Sequence, residues 1–153
     1  MKKIYLITVV SAWMVNPVSA ATKQCVSVDP QQIAALFDQW NAALKTGDAQ
    51  KVVETYLPDA VLLPTVSAQT RYTQKERLDD FSYFLARKPM GVIDSRTIKI
   101  DCNTATDTGT YTYTYTFTFA DRSSAAARYT FTYAWNGQTW KIATHHSSLM
   151  PSS

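Results

Sequence analysis

From Thr110 to Phe119, threonine occupies every even position and tyrosine or phenylalanine every odd one. Side chains on a strand alternate faces with period two, so this stretch reads as a strand with one aromatic face and one hydroxyl face. Tyr129, Phe131, Tyr133 and Trp135 repeat the pattern, and Asn136-Gly137 supplies a tight turn into a last strand over 140–147. An aromatic face of this length needs apolar cover, which has to come from elsewhere in the chain.

Parity fixes the expected register. Both aromatic strands carry rings at odd positions, so they pair with an even residue sum. The Asn136-Gly137 hairpin is expected to set Tyr133 beside Trp140 and Phe131 beside Ile142. The inner face then holds the rings together with Ile142, Thr144 and His146. The outer face holds the threonine row with Arg128, Thr130, Thr132, Lys141, Ala143 and His145. A slip of one residue would expose every ring, so the register is well specified unless a bulge intervenes.

The earlier half reads as helices. Asp29-Pro30 is an N-cap followed by a first-turn proline, and Ile33, Leu36, Phe37, Trp40 and Leu44 follow at helical spacing. Gly47 ends that helix, Asp48 caps a shorter one carrying Val52, Val53 and Tyr56, and Pro58 stops it. A short strand is expected over 60–65, with Pro64 marking an edge. Thr73-x-x-Glu76 is a capping box for a third helix buried through Leu78, Phe81, Phe84 and Leu85. A strand over 92–102 precedes the aromatic pair. Helices followed by an antiparallel sheet define an α+β domain.

Residues 1–20 read as a secretory leader: Lys2 and Lys3, an apolar run over 4–15, and Val18-Ser19-Ala20 as the cleavage site. The expected location is periplasmic or secreted, with a single domain over 21–153. Without the leader, 13 Lys/Arg stand against 12 Asp/Glu, and the formal charge drops from +3 to +1. The cations form no stripe, which argues against nucleic acid. No basic amphipathic helix points to a membrane surface, so no stable membrane insertion is expected. Cys25 and Cys102 allow one pairing, and an oxidising compartment makes a disulfide the default. No cofactor or metal is expected. Adjacent His145 and His146 point to opposite faces and cannot readily share an ion.

The order helix, helix, strand, helix and four antiparallel strands resembles the nuclear-transport-factor-like (SnoaL-like) superfamily. Five segments resemble, more closely, bacterial secreted relatives of the calcium/calmodulin-dependent protein kinase II association domain. They are FDQWNAALKTGD at 37–48, DAVLLPT at 59–65, Arg71, ARYTF at 127–131 and GQTWKIATHHSSLMP at 137–151. The resemblance implies a cone-shaped, cystatin-like roll, three helices on a curved and mostly antiparallel sheet, that self-associates through that sheet. It implies no kinase, since no Gly-rich nucleotide loop or catalytic-loop triplet is present. Ketosteroid isomerases share the superfamily, but the first helix here lacks the tyrosine of their oxyanion hole.

Antiparallel order is expected to gather Asp94, Arg96 and His146 at one end of the inner face, with Asp59 nearby and Arg71 arriving from the loop before the third helix. Arg71, Arg96 and His146 at the mouth of an aromatic cone would suit a small carboxylate. In the structural alternative, Arg96 pairs with Asp94 or Asp59 and His146 is satisfied by the backbone. The outer face, with Arg128, Thr130, Thr132 and His145, is the expected homo-oligomer contact. The leading expectation is thus an exported, non-kinase accessory protein that self-associates and binds a small anionic ligand or a protein partner. One alternative is an acid–base enzyme of isomerase or cyclase type, with His146 as base and Arg96 or Arg71 holding the developing anion. Another is an envelope interaction module whose pocket is vestigial.

Overall fold

The structure is a computed structural model describing residues 24–116 and 122–151. The expected leader, and the rings expected at Phe117 and Phe119, lie outside the described residues. The chain runs α1 (Pro30–Lys45), α2 (Ala49–Val53), β1 (Tyr56–Leu63), α3 (Gln74–Leu85), β2 (Met90–Asp101), β3 (Thr104–Thr116), β4 (Arg122–Trp135) and β5 (Trp140–Leu149). The sheet order is β1-β5-β4-β3-β2, and only the β1–β5 pairing is parallel.

The caps form as their residue types dictate. The Asp29 carboxylate accepts from Gln32 N at 2.8 Å, and Gln32 Oε1 accepts from Asp29 N at 2.9 Å. Thr73 and Glu76 make the same reciprocal pair at the start of α3. Ile33, Phe37, Trp40 and Leu44 are the buried face of α1. Each such side chain contributes about 1.5–3 kcal/mol by leaving water. Asn41 fixes the helix on the sheet by bonding both the N–H and the carbonyl of Gly91 in β2, at 3.0 and 2.9 Å. Helix α2 is shorter than expected. It ends at Val53, and Tyr56 opens β1, with Pro58 inside that edge strand where a missing N–H is tolerated.

The β3–β4 register keeps an even sum, with Tyr111 opposite Ala127 and Ala105 opposite Tyr133. The β4–β5 hairpin differs from expectation by two residues. Trp135 faces Trp140 and Tyr133 faces Ile142, because residues 136–139 form a four-residue loop whose Asn136 Oδ1 accepts from the N–H groups of Gln138 and Thr139. Parity survives that change but not the next one. Pairing passes from Tyr133↔Ile142 to Thr132↔Thr144, a bulge at Ala143. Beyond it the faces exchange: His145 and Ser147 are buried inside, and His146 lies outside opposite Thr130. The expected places of His145 and His146 are therefore reversed.

A second bulge does the same to β2, between Ile93 and Ser95. Asp94 turns outward and accepts from Thr112 Oγ1 at 2.8 Å, whereas Arg96 stays inside. Gly109 allows this bulge, since a Cβ there would come within 2.0 Å of the Ser95 carbonyl oxygen. Bulges add local twist, which curls the sheet around α1.

Two long-range ties complete the roll. Arg77 is fully buried, and its guanidinium donates to the carbonyls of Leu57 (3.1 Å), Pro58 (2.8 Å), Tyr72 (3.2 Å) and Ala60, stapling β1 to the start of α3. Cys25 and Cys102 form the expected disulfide. Asn103 beside it accepts from Val26 N and donates to Gln24 O, which seats the segment before α1 on the β2–β3 turn.

Candidate functional site

A cavity of about 220 Å³ opens between the segment after β1, one face of α3 and the aromatic side of the sheet. Trp40, Phe81, Phe84 and Tyr113 supply its apolar wall. Its polar groups come from three elements that the sequence separates widely.

His145 sits on the floor, 3% exposed, stacked on Phe131 with ring centroids 4.0 Å apart. Its Nδ1 lies 2.8 Å from Tyr56 Oη, which also accepts from Trp40 Nε1 at 3.1 Å. The indole N–H can only donate; we assign the Tyr56 O–H as donor to Nδ1, which places the imidazole proton on Nε2. Burial, then the neighbouring His146, pushes the His145 pKa down to about 3. The ring is thus neutral across the physiological range. Nε2 is buried with no hydrogen-bond partner among the described residues, leaving a donor beside the cavity.

Ser147 lies two residues further along the same face. Its Oγ accepts from Tyr111 Oη at 2.6 Å and bonds Thr65 Oγ1. Burial raises the Tyr111 pKa to about 12, so this hydroxyl remains protonated. Arg71 pairs in a two-residue bridge with Leu62 at the mouth. Its Nε donates to Asp80 at 3.0 Å and its two terminal nitrogens to Gln69 and Ser67. Three of its five N–H groups are thereby used. Arg87 also lines the mouth, lying 5.1 Å over the Tyr83 ring and donating to its hydroxyl. Arg71, Arg87 and Asp80 are the Arg, Lys, Asp and Glu side chains among the described lining residues.

Of the residues expected to form one anion site, the cavity brings in only Arg71. His146 is exposed on the other face of the sheet and takes the outer position that was expected for His145. Arg128, Thr130 and Thr132 lie on that outer face as expected. Arg96 does not line the cavity. It pairs with Asp107, which is fully buried, and lies 5.6 Å over the Phe37 ring. Arg96 Nε donates to Oδ1 at 3.1 Å. Nη2 sits 3.1 Å from Oδ2 but off line, so that second contact is ionic and not a directed hydrogen bond. Tyr129 Oη donates to the same carboxylate at 2.8 Å. Burial raises the Asp107 pKa despite these partners. Asp94 and Asp59, the expected partners of Arg96, are exposed.

Asp80, Tyr83, Arg87 and Ser147 were not anticipated. Asp80 and Tyr83 lie three apart on α3, and Arg87 follows in the turn just after the helix ends at Leu85. Ser147 became visible only once the bulge set its face. Among the described residues no group of three His, Cys, Asp or Glu is placed to hold a metal, and no helix is long and apolar enough to cross a membrane.

A curved sheet wrapped on three helices around an aromatic-walled cavity defines a nuclear-transport-factor-like, cystatin-like roll, and solved structures agree. A candidate dehydratase of the NTF2-like family from Streptomyces avermitilis superposes with TM-score 0.71 at 13% identity, over 80% of this chain and 96% of that one. A candidate scytalone dehydratase from Novosphingobium aromaticivorans gives 0.69 at 8% identity, over 79% and 83%. At such identities the likeness is one of fold. Residues 29–151 match the family described as the calcium/calmodulin-dependent protein kinase II association domain, and the chain belongs to it. A candidate association-domain protein of that type from Xanthomonas campestris is 42% identical, with TM-score 0.77, over 88% of this chain and 100% of that one. No curated protein matches.

Proposed function

We propose that this is an exported, non-kinase member of the association-domain family that self-associates through its outer sheet face and binds a small anion in the cone. The observation that carries the reading is the His145 Nε2–H, unpaired among the described residues, beside an aromatic-walled cavity with two arginines on its lining. A buried donor without a partner is costly, and a ligand oxygen would relieve that cost. At about 220 Å³ the cavity is smaller than drug-sized pockets, so the ligand is small. Arg71 and Arg87 at the mouth favour a carboxylate. The disulfide supports export, because such bonds persist in oxidising compartments.

Acid–base catalysis fits less well. A general base works best with a pKa near the operating pH, and that of His145 is pushed to about 3. Asp80, the carboxylate among the described lining residues, is held by Arg71.

Calorimetry and thermal shift with a panel of small carboxylates test the reading. Wild type should bind at least one of them, and Arg71→Ala should weaken it by about 1.5–3 kcal/mol, the range for hydrogen bonds to charged groups. His145→Phe keeps the ring stack, removes the donor and should also weaken binding. No binding by wild type, or equal binding by both variants, overturns the assignment.

A further inference from the structure

A second cavity, of about 310 Å³, lies between α1, α2 and the β4–β5 hairpin and shares no lining residue with the first. Its charged groups are Lys51, Lys141 and Glu54. Among the described residues neither lysine has an ion-pair partner, and Glu54 meets only Gln50 Nε2 at 3.4 Å. The wall therefore carries one uncompensated positive charge. Tyr133 also lines this cavity, is 1% exposed, and its Oη has no hydrogen-bond partner among the described residues. Burial raises the phenol pKa well above its ordinary value, so the group stays a donor. Leu36, Trp140 and Ile142 give the cavity an apolar side.

We propose that this second cavity is a binding site for a small monocarboxylate with an aliphatic or aromatic body. Its carboxylate would lie between Lys51 and Lys141, its body against Trp140 and Leu36, and Tyr133 would offer a hydrogen bond. A single negative charge neutralises the wall. A phosphate dianion would overshoot and meet repulsion from Glu54, so the carboxylate is the favoured class. The phenol left unbonded on a residue that lines the cavity is a second, independent observation in favour of an acceptor there, since buried hydroxyls in folded proteins are nearly always bonded.

The two cavities lie at opposite ends of one ring stack, which needs a site-resolved readout. Tyr133 stacks on Phe131 at 5.8 Å and 9°, and Phe131 on His145 at 4.0 Å and 21°. Phenylacetate titrated into the ¹⁵N-labelled protein should produce saturable shifts at the Thr55, Lys141 and Ile142 amides, in wild type and in Arg71→Ala alike. Lys51→Ala/Lys141→Ala should weaken this response about tenfold or more, and Tyr133→Phe, which removes one hydroxyl, about threefold to tenfold. Phenylacetamide should bind at least about tenfold more weakly, and phenyl phosphate no more tightly. The proposal falls if these amides do not saturate by about 10 mM phenylacetate, a weak-affinity limit. It falls equally if their response disappears in Arg71→Ala, or keeps its affinity in both the double-lysine and Tyr133→Phe variants. Equal binding of the amide, or tighter binding of the phosphate ester, overturns the ligand class. Loss of the Arg71-dependent response alone would sink the first cavity's reading and leave this one standing.

Discussion

Acidification below pH 6.5 should destabilise this protein through His145. The unfolded imidazole takes a proton near pH 6.5, but the folded one, buried against Phe131, Trp40 and Tyr56, takes it only near 3. The folded pKa is depressed, so between those values the unfolded chain binds the extra proton and stability falls as pH falls. Well inside that window each pH unit costs about 1.4 kcal/mol, and at 6.5 the unfolded ring is already half protonated, so lowering the pH to about 4.5 should remove about 2.3 kcal/mol. That is a large fraction of the ~5–15 kcal/mol that holds a domain together. Asp107 works in the opposite sense, since burial raises its folded pKa and its protonation favours the native state. The His145→Phe variant keeps Asp107 and so cancels that contribution. Urea unfolding at several pH values between 7 and about 4.5 should show wild type losing about 2–3 kcal/mol more than His145→Phe. In the same range the ¹⁵N signals of His145 should stay those of a neutral ring protonated at Nε2. Parallel pH profiles for the two proteins, or an imidazole that titrates near 6.5, would refute the reasoning.

Charging the outer face with Thr132→Glu should shift the light-scattering mass from dimer or larger toward monomer with helix content retained; a wild type already monomeric at micromolar concentration removes that assembly proposal. Arg96→Met should destabilise by about 3–5 kcal/mol because it strands the fully buried Asp107, and Arg96→Met/Asp107→Leu should recover most of this in urea melts. A double variant no more stable than the single would show that the pair does more than neutralise itself. Reducing Cys25–Cys102 opens a closure spanning 77 residues, for which chain entropy gives about 4.5 kcal/mol. A loss under about 1 kcal/mol on reduction would mean that the segment around Cys25 is held by Asn103 instead.

The strands, helices and caps were legible because each rests on a local period or a local hydrogen bond. The faces of β2 and β5 were not, because a bulge leaves little mark in its own residues. Asp94 and Ala143 are ordinary strand occupants, and the nearest sign of either bulge is Gly109 on the neighbouring strand. One added residue in β5 exchanged His145 with His146, and with them the chemistry. An exposed histidine was read as a candidate base, and the one actually inside is a neutral donor. Other features were open to reading. Asp107 interrupts the odd-numbered inner row and calls for a cation, which Arg96 supplies. Arg77 falls one helical turn before Phe81 on the buried stripe, so its burial was implied by spacing alone.

A sheet lined with tyrosines must also find partners for their hydroxyls, and most of the polar residues on its inner face do this. Ser147 serves Tyr111, Asp107 serves Tyr129 and His145 serves Tyr56. The buried groups left unbonded among the described residues fall into two kinds. Arg77 Nε, Arg96 Nη2 and Asp107 Oδ2 belong to charged side chains that hydrogen-bond through other atoms. The remaining two, His145 Nε2 and Tyr133 Oη, belong to residues that line the two cavities. Packing errors would scatter such orphans through the core. Their placement on residues that line the two cavities is what a protein built to receive acceptor atoms from outside would show.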